Sequence, residues 1–79
     1  MNKLIELCFA KDGGIVVFEN IKDIETKMHK RLIELGFVKG TKINVIKKTK
    51  ELILVGIRGF SISLDYKLCE KIFVWEATN

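Results

Sequence analysis

Apolar and polar residues alternate with different periods along this chain, and glycines mark where the period changes. IVVFE (Ile15–Glu19) is β-branched and aromatic and predicts a strand. It follows KDGG (Lys11–Gly14), a turn signal, because glycine takes positive φ without strain. From Ile21 the pattern becomes helical. Ile21, Ile24, Met28, Leu32 and Leu35 recur at helical spacing and predict one helix of about three turns with a single apolar stripe. Asn20 and Asp23 are both candidates to cap its start, since a short side-chain acceptor satisfies an orphan N–H. Gly36 stands where a left-handed residue ends a helix, and the apolar Phe37 after it is placed to fold back onto the last turn.

Val38–Gly40 then reads as a tight turn, after which the period is two. In TKINVIKK (Thr41–Lys48), Ile43 and Val45 face one way, and Lys42, Asn44 and, less regularly, Ile46 face the other. LILVGIR (Leu52–Arg58) is a second strand after the turn at Thr49–Glu51. A turn at Gly59 leads to a third, FSISL (Phe60–Leu64), with Phe60, Ile62 and Leu64 opposite Ser61 and Ser63. DYKLCEK (Asp65–Lys71) fits one helical turn capped by Asp65. IFVWE (Ile72–Glu76) is a last strand, and ATN reads as a frayed tail. KLIEL (Lys3–Leu7) fits either a turn of helix or an edge strand. These elements predict a mainly β fold, a small five-stranded barrel, closed or partly closed. One three-turn helix is inserted after the first long strand, with a helical turn before the last strand. The strands near KDGG and near the C-terminus close it, and the helix stripe covers one open end.

The 79 residues are one domain's worth, enough for one small core. Hydrophobic residues are 48% and charged residues 30% of the chain, which argues against disorder. No apolar run approaches the roughly 20 residues of a membrane-spanning helix. The N-terminus lacks a secretory pattern, so a cytoplasmic location is expected, with a peripheral position at the inner face of the membrane compatible with it. The net charge of +4 suits an acidic protein surface, anionic lipid or nucleic acid, and does not choose between them.

Candidate chemistry is sparse. Cys8 and Cys69 form no C-x-x-C pair, and His29 is the single histidine, so a tetrahedral zinc site has too few soft ligands within the chain. The cysteines are expected as small packed apolar residues, and His29 as a residue flanking the helix stripe. No cofactor or resident metal is expected. Metal-bridged self-association through Cys8, His29, Cys69 or surface carboxylates stays open, because ligands from two chains obey no spacing rule within one. One histidine without a glycine-elbow serine gives no triad. GFVKGTK (Gly36–Lys42) lies between a helix and a strand, the wrong context for a phosphate loop. An enzyme is therefore not expected.

Function then falls to a surface. Lys27, Lys30 and Arg31, with Lys22 nearby, lie on the outer face of the helix. They are a solvated face or a basic patch that steers an acidic partner. In the last strand Ile72 and Val74 fit the core row, so Phe73 and Trp75 point outward. Either LIELCF or the 65–71 turn covers these aromatics, or they anchor an interface. The alternative use of such a barrel is nucleic-acid binding through Trp75, Phe73, Tyr66 and the lysines.

RLIELGFVKGTKINVI, ILVGIRGFSISL and CEKIFV together resemble the FeoA family, small cytoplasmic SH3-like proteins associated with bacterial ferrous iron uptake. Arg31, Leu32, Leu35, Gly36, Gly40, Ile43, Val45, Gly59, Ile62, Leu64, Ile72 and Val74 fall on the family pattern. Lys39 stands where that pattern usually has proline, and Asp65 where arginine is common. The loop within KKTKELIL is shorter than usual. The same fold occurs at the C-terminus of DtxR-type repressors, but these residues contain no helix-turn-helix. The resemblance implies an SH3-like barrel with structural turns at Gly36, Gly40 and Gly59. It also implies a non-enzymatic accessory or regulatory module that binds the cytoplasmic region of a membrane ferrous iron transporter, a FeoB-type GTP-binding protein. Lys27, Lys30, Arg31, Phe73 and Trp75 are the candidate partner contacts.

Overall fold

The computed structural model describes residues 2–77. The chain forms strands β1 (Asn2–Glu6), β2 (Ile15–Ile21), β3 (Lys42–Lys48), β4 (Leu52–Ile57), β5 (Phe60–Asp65) and β6 (Ile72–Ala77). A 3-10 turn (Leu7–Phe9) follows β1, helix α1 (Thr26–Leu35) lies between β2 and β3, and α2 (Tyr66–Cys69) precedes β6. The described residues thus form six strands where the sequence predicts five. The extra one is the ambiguous N-terminal segment, whose Ile5 pairs with Val74 of β6. Ala77 belongs to β6; the rest of the predicted frayed tail, Thr78 and Asn79, lies outside the described residues.

The strands make one antiparallel sheet in the order β1-β6-β2-β3-β4-β5. The expected pairing of the KDGG strand with the C-terminal strand is present, as β2 on β6. The sheet curls but does not close, because β1 and β5 are its two unjoined edges. Leu7, Cys8 and Ala10 are buried with the 3-10 turn against α2 and β6, and Lys48 at the end of β3 donates to the Ala10 carbonyl at 2.8 Å.

Alternation along the strands builds the core. Ile43 and Val45 of β3, Ile53, Val55 and Ile57 of β4, and Ile72 and Val74 of β6 are all buried. Ser61 and Ser63 are exposed as the period requires, and Leu64 is buried beside them. A register shift between Val45 and Lys47 explains the irregular Ile46, which is 41% exposed.

The helix starts later than the sequence predicts. Ile21 pairs with Ile72 and remains in β2, because sheet pairing outweighs the helical spacing. Neither predicted cap serves. Asn20 is in the strand, Asp23 takes a left-handed φ of 54°, and the N-cap residue Glu25 makes no side-chain cap bond. The stripe holds only in part. Leu32 is buried, Ile24 and Leu35 pack partly against the core, and Met28 stays 38% exposed.

The helix end follows prediction. Gly36 has φ +115°, and its N–H donates to Ile33 while that of Phe37 donates to Leu32, both at 3.0 Å. Phe37 is thereby folded into the core, edge-on to Phe18 with ring centroids 5.9 Å apart. Asp65 caps α2 through its Oδ1, which accepts from the Lys67 N–H at 2.9 Å.

Candidate interaction surface

Alternation sends Phe73 and Trp75 to the outer face of β6, as predicted, because Ile72 and Val74 occupy the inner row. The new strand β1 then decides their exposure. Leu4 stands opposite Trp75 and Glu6 opposite Phe73, so both aromatics are half-buried rather than open. LIELCF therefore flanks the aromatics and at the same time enlarges the patch. Leu4 is 45% and Phe9 67% exposed, and with Phe73 they line a hollow of about 560 Å³ edged by Lys3, Glu6 and Glu76.

The polar tips of this face are held from elements distant in sequence. The Trp75 indole N–H donates to Glu19 Oε1 at 2.7 Å, and Glu19 Oε2 faces Lys39 Nζ at 3.4 Å. Glu19 sits where the β2–β6 register shifts, and that irregularity turns it toward the indole. The Trp75 bond first, and then Lys39, hold the Glu19 carboxyl below the usual carboxylate range. The ammonium of Lys22 lies 5.2 Å from the centroid of the Phe73 ring, a cation–π arrangement. Sequence reasoning names neither Glu19 nor Lys22 as a partner of these aromatics, since both contacts depend on the β2–β6 pairing.

Lys27, Lys30 and Arg31 are all exposed on α1. Among the described residues they form no ion pair, and no hydrogen bond joins them to the aromatic face. The two predicted contact sets therefore remain separate. His29 is exposed on the same helix. Gly40 and Gly59 take φ of +93° and +87° in their turns, and Arg58 before Gly59 takes +50°, so that pair makes the tight β4–β5 hairpin.

Both cysteines are free thiols in the core. The Cys8 thiol donates to Glu6 Oε1 at 3.4 Å. Burial, with that carboxylate adding to it, pushes its pKa up to about 11. Burial pushes Cys69 up to about 12. Both stay protonated near neutrality, as packed thiols do. Among the described residues no three His, Cys, Asp or Glu side chains are placed to hold a metal ion, and no helix is long and apolar enough to cross a membrane.

Known proteins share this architecture. A protein of Methanocaldococcus jannaschii that carries the name Fe(2+) transport protein A is 31% identical over 71 residues, covering 90% of this chain and 85% of that one. The solution structure of a FeoA-like protein from Clostridium acetobutylicum superposes with a TM-score of 0.81 at 27% identity, covering all of this chain and 93% of the other. The FeoA of Stenotrophomonas maltophilia, an SH3 domain protein solved in complex with zinc, superposes with a TM-score of 0.74 at 26% identity over 86% of each chain. The two solved structures share this small SH3-like fold, which has six strands and open edges here. The FeoA domain model matches residues 5–75, from inside β1 to the outward tryptophan of β6, and on that span the chain belongs to the FeoA family, which is implicated in ferrous iron transport.

Proposed function

We propose that this chain is a non-enzymatic accessory module of ferrous iron uptake. It works in the cytoplasm by binding the cytoplasmic region of the membrane ferrous iron transporter, a FeoB-type GTP-binding protein. Family membership supplies the process. The observation that carries the binding role is the β1–β6 face, where Leu4 and Phe9 stand exposed beside Trp75, bonded at its indole N–H, and Phe73, with the Lys22 ammonium over its ring. Rigid half-buried aromatics lose little entropy on association and make good anchors. The cations of α1 add orientation and on-rate.

The test is to purify the tagged chain from gently solubilised cells of its source and identify what accompanies it. The transporter is expected. Phe73→Ser or Trp75→Ser should reduce its recovery while the variant stays folded by circular dichroism, and Lys30→Glu with Arg31→Glu should reduce it less. Recovery of RNA in place of the transporter, lost on adding moderate salt, would replace this reading with nucleic-acid binding, which weakens through counterion release.

A further inference from the structure

Gly56 lies in the interior of β4, paired with Asn44 of β3 on one side and Ser61 of β5 on the other. Nothing in the fold requires glycine there. Its φ lies outside the left-handed region, unlike those of Gly13, Gly36, Gly40 and Gly59. A Cβ built on it would meet Ile46 Cδ1 at 3.5 Å and Asn44 Cβ at 3.6 Å, which is ordinary contact. A glycine in a strand interior weakens the strand and often marks a place where another chain or ligand comes close to the backbone.

The surroundings fit that role. The cross-strand row Ile15, Asn44, Gly56, Ser61 carries small side chains at its middle. It floors a hollow of about 360 Å³. Ile15 (63% exposed) and Phe60 (46%) wall it. Lys42 and Arg58 are the charged residues among its lining, which includes no carboxylate. The Arg58 stem passes close to the end of α1, its Cδ 2.7 Å from where a Cβ on Gly36 would be, so glycine there leaves room for it.

We infer that the hollow over Gly56 is a docking site for an acidic segment of a partner protein, with one apolar side chain seated on the glycine and its carboxylates on Lys42 and Arg58. The apolar walls favour an inserted side chain, and the cations with no lining carboxylate fix the sign of the charges around it. The site lies on β2–β5 and is independent of the β1–β6 face.

The experiment is an amide chemical-shift titration of the full chain with two short synthetic peptides, one with a leucine or phenylalanine flanked by glutamates, the other with lysines in their place. The glutamate peptide should shift Ile15, Asn44, Gly56 and Ser61, and the lysine peptide should leave them unmoved. Gly56→Val should weaken binding by about tenfold or more, with a melting temperature equal to or above that of the parent. Lys42→Glu should weaken binding of the glutamate peptide and narrow the preference between peptides, because Arg58 then faces a carboxylate. If Gly56→Val does not fold, Gly56→Ala, for which the contacts leave room, carries the same test beside Lys42→Glu. Absent shifts, shifts mapped elsewhere, or undiminished binding to the Gly56 variants would overturn the inference. So would two outcomes that reassign the hollow. One is Gly56-dependent sedimentation with phosphatidylglycerol vesicles. The other is a concentration-dependent dimer of the chain lost in Gly56→Val.

Discussion

The two outward faces of the sheet are built in opposite ways. On β1–β6 the surface is filled by large side chains, and each aromatic has a partner from β2 or the residue that follows it, Glu19 for Trp75 and Lys22 for Phe73. On β2–β5 the centre is emptied by Gly56, and the apolar residues stand at the edges. The first face offers anchors to a partner's groove, while the second offers a groove to a partner's anchor. Side-chain bonds on the first carry stability as well as shape. On the second, shape is obtained against strand propensity, so stability and binding should separate under mutation.

The largest expected effect is at the support of the second face. Gly36→Ala places a Cβ in a left-handed backbone and against the Arg58 stem, and should destabilise by about 1–3 kcal/mol. Urea unfolding measures it, and an unchanged midpoint would show that neither the conformation nor Arg58 constrains this turn.

A smaller effect is expected on the first face, and it depends on pH. The depressed Glu19 pKa means that the folded state binds this proton less readily than the unfolded chain. Its contribution is present above the ordinary carboxylate pKa and lost as the pH falls through the lower, folded value. Trp75→Phe removes the first cause of the depression. It should therefore cost stability at neutral pH, and flatten the acid limb of a plot of melting temperature against pH. An acid limb as steep as the parent's would assign that limb to other carboxylates.

The smallest effect is opposite in sign. Gly56→Ala should raise stability by roughly 0.5–1 kcal/mol, since alanine loses less chain entropy on ordering and meets no clash. A loss of stability would mean that the fold needs this glycine, and the contrast between the two faces would fail.

Much of the architecture is readable before any coordinates. The two-residue period of β3, β4 and β5 is local, and so is the helix-ending glycine with its returning Phe37. Asp65 as the cap of α2 and the inward row Ile72 and Val74 also follow from neighbours in sequence. These succeed because side-chain direction in a strand and the capping of a helix are fixed within a few residues. The outward direction of Phe73 and Trp75 comes with them. Where prediction falls short, a distant strand intervenes. Ile21 fits the helical stripe by spacing but is held in β2 by Ile72. KLIEL is ambiguous by itself and becomes an edge strand once β6 provides a pairing edge.

The sequence by itself determined the element types, the core rows, the helix stop at Gly36 and the family, all carried by short-range pattern. Only the tertiary structure decided the sixth strand, the open edges, the bond between Glu19 and Trp75, and the hollow over Gly56. The physical reason is distance along the chain. Glu19 and Trp75 are 56 residues apart. The emptiness above Gly56 likewise belongs to three paired strands at once, so no window of sequence contains it.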